Sequence, residues 1–301
     1  MKTIYVNAGD VKLHAKIHEP KESENPETII FIHGYPDTHT TWSKQIDAFK
    51  ENYRLVLYDL RGTGGSTPPH DRTGYHIDYL MNDLNCVIKE LAGNEKVHIV
   101  GHDWGGIIAW SYLSIPSYAE KVKSFTAIGA PHPTLATKNI MDSLQTLDPF
   151  AWFQAIQQIL KSWYVGFLQI PRLAEFFLFA SPESIWNALI SQSGIPPEDE
   201  MRHKNRQEIL SSTVGPINMY RELVQGGLPP LPPEPIQIPV SVITADKDLA
   251  LTNIVFENVE RLATKVDIRK MDTNHWVHRE KPDEFNRLLG IFLKRTKARS
   301  K

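Results

Sequence analysis

The chain has one cysteine, Cys86, in 301 residues, so an intramolecular disulfide cannot form and no zinc framework of paired cysteines can be built. It also lacks a charge of one sign. Lys+Arg number 33 against 35 Asp+Glu, which excludes the broad field that gathers nucleic acid or anionic lipid. The small basic tail of Lys294, Arg295, Lys297, Arg299 and Lys301 reads as a solvated terminus. Long apolar runs are missing too. The most apolar region, residues 149–178, is broken by Lys161, Arg172 and Glu175 into uncharged stretches of 12 and 10 residues, short of the ~18 that suggest a membrane span. The first twenty residues contain no apolar core of the signal-peptide kind. The expectation is a soluble, cytoplasmic-type protein without a nucleic-acid partner or a membrane span. What the chain does have is core material: 41% of it is hydrophobic, with 7 Trp, 12 Phe and 10 Tyr. At ~150 residues per domain it has room for one large domain or two ordinary ones.

Alternation in residues 3–6 and 11–17 around Asn7-Ala8-Gly9-Asp10 predicts an opening hairpin. Short β-branched runs at 28–32, 55–58, 97–100 and 124–128 then alternate with helical stretches near 42–49, 76–91 and 104–113. That rhythm implies a mostly parallel sheet with right-handed crossovers. From about Thr134 to Gln225 the β-runs vanish, and a proline-rich stretch at 226–233 leads to a buried strand over 239–245, a last strand over 266–271 and a closing helix over 285–293. The organisation expected is an α/β core of residues 1–133 and 236–301, interrupted by a helical cap of residues 134–235.

The most informative segment is Gly101-His102-Asp103-Trp104-Gly105-Gly106. A strand enters it and a helix leaves, and so sharp a turn needs small residues at Gly101, Gly105 and Gly106. Its apex is Asp103 where the usual motif of this shape has serine. A carboxylate is already ionised at neutral pH, whereas serine needs a base. As a nucleophile it suits a saturated carbon bearing a leaving group, an epoxide or alkyl halide, and would give an alkyl-aspartyl ester. The plainer alternatives are a tight turn in a nucleotide-type sheet, or a helix cap.

Other segments supply partners. The strand entering His33-Gly34-Tyr35-Pro36 brings the N–H of Tyr35 towards the apex, where with the N–H of Trp104 it would form a two-donor oxyanion hole. Asp59-Leu60-Arg61-Gly62-Thr63-Gly64-Gly65-Ser66 reads as a buttressing turn, since no phosphate-loop Lys-Ser/Thr follows. His275, in the loop after the last strand, is the expected general base, and His278 in a more polar stretch is its competitor. The orienting acid follows the penultimate strand as Asp248, with Asp246 as the alternative. The order Asp103, Asp248, His275 is that of the α/β-hydrolases.

Taken together, HGYP, DLRGTGGS, GHDWGG, TADKD and TNHW resemble the motifs of the α/β-hydrolase-fold epoxide hydrolases, with haloalkane dehalogenases as near relatives. The resemblance implies an α/β-hydrolase fold, that is, a mostly parallel central sheet with an inserted all-helical cap. It also implies a small apolar epoxide and water as substrates, with no cofactor and no metal. In the dehalogenases the position of Tyr35 is typically Asn, which helps hold halide. Epoxide hydrolases instead use two cap tyrosines to protonate the epoxide oxygen, and Tyr164 and Tyr220 fall at matching positions. Tyr112 and Tyr118 lie outside the cap and are read as packing residues, and His132 as structural. Trp104 differs from the Arg that fluoroacetate-type enzymes place after the nucleophile. Asn274 departs from the Gly that often precedes the family's histidine. The function expected is therefore epoxide hydrolysis through an aspartyl ester, with haloalkane dehalogenation or non-catalytic ligand binding as alternatives. Phe150, Trp152, Phe153, Phe176, Phe177, Phe179 and Trp186 are expected to wall an apolar pocket.

Overall fold

The alternating strand and helix pattern folds, in a computed structural model describing residues 1–21 and 25–298, into one eight-stranded sheet in the order β1-β2-β4-β3-β5-β6-β7-β8. Its strands are β1 (Lys2–Ala8), β2 (Val11–His18), β3 (Thr28–Ile32), β4 (Arg54–Tyr58), β5 (Val97–His102), β6 (Val122–Ile128), β7 (Ile236–Ala245) and β8 (Ala263–Met271). The first two form the expected hairpin, β2 also pairs antiparallel with β4, and every other pairing is parallel. Arg299 and Lys301 of the basic tail lie outside the described residues.

Parallel strands covered on both faces read as continuous apolar runs, which is why β3 is buried at every position. Its side chains alternate between two cores. Ile30 and Ile32 join Trp110 and Phe125 on one side, while Ile29 and Phe31 join Trp42, Phe285 and Leu289 on the other. The covering helices are α1 (Ser43–Phe49), α2 (Ile77–Leu91), α3 (Trp104–Leu113), the short α4 (Pro116–Ala119) and, at the end of the chain, α12 (Val277–Glu280) and α13 (Pro282–Ala298). β7 starts at Ile236, three residues before the run that predicts it. A register shift between Ile236 and Pro239 absorbs the proline, which cannot donate to the ladder.

Between β6 and β7 every regular element is helical: α5 (Pro133–Gln145), α6 (Pro149–Lys161), α7 (Trp163–Leu168), α8 (Leu173–Ala180), α9 (Pro182–Ser191), α10 (Arg206–Thr213) and α11 (Ile217–Gln225), with a 3-10 turn at Glu200–His203. No helix among the described residues is long and apolar enough to cross a membrane.

Candidate active site

Loops leaving the C-terminal ends of β3, β5, β7 and β8 converge, the usual place for a site in an open α/β sheet. Asp103 sits at the apex between β5 and α3 with φ 49° and ψ −119°, a conformation that L-residues avoid unless their surroundings impose it. Here the surroundings do so. Its N–H donates to the Ile128 carbonyl at 3.0 Å, and its own carbonyl accepts from Gly106 and Ile107 at 2.9 and 3.0 Å. The turn also requires Gly105, since a Cβ there would sit 2.7 Å from the His33 carbonyl oxygen. From the β3 loop, Gly34 lets the backbone approach closely enough for the Tyr35 N–H to donate to Asp103 Oδ1 at 2.8 Å.

His275 lies across from this carboxylate, its Nε2 3.6 Å from Asp103 Oδ2. Its Nδ1 is 2.8 Å from Asp248 Oδ2, while Asp248 Oδ1 accepts from the N–H groups of Ala250 and Leu251 at 2.8 and 3.0 Å. Burial alone would lower the proton affinity of His275, but the Asp248 and Asp103 carboxylates outweigh it and hold the imidazole pKa well above its ordinary value. Burial acts on Asp248 in the opposite sense, and His275 with the two backbone donors brings that carboxyl below the ordinary range.

The structure separates the alternatives left open by sequence. Asp246 ion-pairs with Lys270 and leaves His275 to Asp248. His278 is buried against Trp42, ring centroids 4.5 Å apart, with Nε2 2.9 Å from Thr41 Oγ1. His132 lies beside Ser114. Tyr112 and Tyr118 stack on each other at 4.5 Å.

A cavity of about 420 Å³ opens above Asp103 and His275, and both Tyr164 and Tyr220 line it. The ring of Tyr220 stands edge-on to Tyr164, Tyr35 and Trp104 at 5.9, 5.3 and 5.1 Å. Burial, reinforced by the Asp103 charge, raises the pKa of both phenols, so they remain proton donors across the neutral range. Of the seven aromatics expected to wall the pocket, only Phe177 and Trp186 do so. Phe150, Trp152, Phe153, Phe176 and Phe179 are exposed and line no part of it. Hydrophobicity predicts that a side chain seeks an apolar neighbour, without saying which face of the helix turns inward.

Two contributors carry no motif. Gln158 of α6 donates to the Ala250 carbonyl at 2.9 Å and accepts from the Thr252 N–H at 2.7 Å, and Lys161 donates to the Asp248 carbonyl, so the helical segment braces the loop that holds Asp248. Of the three glutamines in α6 only Gln158 turns fully inward, so the sequence alone does not single it out; once buried, its amide needs partners. Asp59 gathers His14 and His39, each at 2.8 Å, into the one grouping of three metal-type donors found among the described residues. Both its oxygens also accept a backbone N–H, from His39 and from Gly65, so the carboxylate is saturated and the cluster reads as the buttress expected of that turn.

The fold and this strand-end constellation define the class: the chain belongs to the α/β-hydrolase fold family, whose pattern matches residues 27–282, and within it to the group that contains the epoxide hydrolases. It is similar to human epoxide hydrolase 4, with 30% identity over 278 residues, 88% of this chain and 72% of that protein. It is also similar to the AB hydrolase superfamily protein YfhM of Bacillus subtilis, with 29% identity covering 98% of both chains. Among solved structures, that of the Bacillus megaterium epoxide hydrolase in complex with an inhibitor superimposes with a TM-score of 0.76 at 25% identity, covering 97% of this chain and all of the other.

Proposed function

We propose that the protein hydrolyses an apolar epoxide to a vicinal diol through a covalent ester on Asp103. The observation that carries this reading is the meeting of four groups in one cavity: a carboxylate, a histidine held by a second carboxylate, and two phenols, Tyr220 buried and Tyr164 half-buried. Asp103 attacks an epoxide carbon as the C–O bond breaks, and the departing oxygen takes a proton from Tyr164 or Tyr220. Losing the Asp103 charge weakens the hold of His275 on its own proton, which returns to the tyrosinate and leaves a neutral imidazole. His275, oriented by Asp248, then takes a proton from water as the hydroxide adds to the ester carbonyl. The N–H groups of Tyr35 and Trp104 hold the oxyanion. Collapse expels the diol, which takes the carboxyl proton, and the resting ionisation is restored. The cap is residues 134–235, seated on a core of 1–133 and 236–301.

Single turnover in ¹⁸O-labelled water tests the covalent route. Label is expected in the Asp103 carboxylate, and a label found only in the diol overturns it. His275→Gln is expected to accumulate the ester as added mass on the intact protein. Halide release from a bromoalkane, with no diol from styrene oxide, would instead assign dehalogenation.

A further inference from the structure

The aromatics that turn away from the cavity form a surface of their own, and we propose that this face docks onto a lipid bilayer and seats the cavity mouth at the boundary between headgroups and acyl chains. On α6 and the start of α7, Phe153, Ile156, Leu160 and Trp163 recur at steps of three and four, a stripe of helical period, and all are exposed, Phe153 by 61% and Trp163 by 69%. Phe176, 64% exposed, extends the stripe onto α8. Ring contacts make the surface continuous: Trp163 to Phe167 at 6.2 Å, Phe167 to Phe177 at 6.1 Å and Phe177 to Phe176 at 5.6 Å. A contiguous apolar face of this kind marks a place where something binds.

Two observations choose the occupant. Trp163 and Phe177 stand at the surface and also line the cavity above Asp103, as do the exposed Ile185 and Leu249, so the mouth opens within the apolar face. A second copy seated there would stopper the entrance, whereas a bilayer would present an apolar substrate to it. Charge agrees with lipid. Between Phe150 and Ala180 the charged residues are Lys161, Arg172 and Glu175. Arg221 holds Glu175 at 2.6 and 3.0 Å, so its charge is neutralised, while Arg172 is exposed to meet phosphate. Tryptophan and phenylalanine on a short amphipathic helix suit the interface plane. With a net charge of −2 the attraction is short-ranged and apolar rather than electrostatic at a distance.

The test mixes the full chain with unilamellar phosphatidylcholine vesicles, with and without phosphatidylglycerol, and follows co-sedimentation and tryptophan emission. The protein is expected to sediment with both, and its emission to shift to the blue. The double variant Phe153→Ser/Phe176→Ser replaces no cavity-lining residue. It should partition at least about tenfold more weakly while keeping the parent's thermal midpoint and its turnover of a water-soluble epoxide. Asp103→Asn should bind vesicles as the parent does, which separates docking from the chemistry proposed for the site. A parent chain that stays in the supernatant overturns the proposal, as does undiminished partitioning of the double variant. So does a concentration-dependent dimer, seen by analytical ultracentrifugation, that the same two substitutions dissolve.

Discussion

At the scale of single residues, His275 and His278 show how far environment outweighs identity. Three positions apart and both buried, they are pushed in opposite directions. Among the described residues no carboxylate pairs with His278, and burial, with the neighbouring His102, Arg279 and His275, drives its pKa well below the ordinary value. For His275 burial acts in the same sense, but Asp248 and Asp103 reverse it. Under the proposed mechanism, forming the ester on Asp103 would remove one of the two carboxylate charges that hold the His275 imidazole pKa up. Decay of the ester, followed by rapid quench after a single turnover, should accelerate with rising pH as His275 gives up its proton. The midpoint is expected below that of the His275 imidazole in free enzyme, followed by NMR. Coincident midpoints would show that Asp103 contributes nothing to the charge state of the base. His275 was legible in the sequence because it follows a strand in the final position of a recognisable order. The sign of its shift depends on two carboxylates that the chain reaches only by folding.

Among elements, the turn from β5 into α3 concentrates the constraint. Asp103 is kept in a sparsely populated conformation, and its neighbours leave no room for relaxation. A Cβ at Gly105 would fall on the backbone carbonyls of Ile32 and His33, groups fixed by the sheet. Gly105→Ala is therefore expected to cost about 1–3 kcal/mol in urea unfolding, with a larger fractional loss of turnover as Asp103 is displaced. Gly166 in α7 has nothing within 4 Å of its virtual Cβ, and Gly166→Ala should be neutral or stabilising by up to about 1 kcal/mol. Equal costs at the two glycines would refute the steric account. This turn was readable from sequence because strand, small residues and helix lie in one continuous segment, and the buried parallel strands were readable because both of their faces are apolar. The early start of β7 was not, since its first residues sit beyond a proline and pair only through a shifted register.

Across the whole molecule, what the sequence concealed is how the helical segment is fastened to the sheet. Asp37, fully buried just after the His-Gly-Tyr-Pro turn, accepts from the indole of Trp276 at 2.8 Å and faces Lys204 at 3.3 Å. The Lys204 ammonium in turn lies 4.1 Å above the ring of Trp186. One carboxylate thus ties the β3 loop, the residue after His275 and the helical segment together, through positions 167 and 239 residues apart that no local pattern connects. Burial would raise the Asp37 pKa, but Lys204, His102 and the Trp276 hydrogen bond lower it, so the carboxylate is ionised and depends on its cation. Removing that cation leaves a charge stranded in the interior, which costs more than the pair itself contributes. Lys204→Met should therefore destabilise the fold by about 3–5 kcal/mol in urea unfolding. Asp37→Asn in the Lys204→Met background should recover part of this, because no charge is then left unpaired. A double-mutant cycle is expected to give a coupling of about 1–3 kcal/mol, and additive effects would mean that solvent, rather than Lys204, compensates Asp37. Turnover supplies a second readout. With Trp276 adjacent to His275, loosening Asp37 should slow the hydrolytic step more than the alkylation step, so Lys204→Met is expected to accumulate ester where the parent does not.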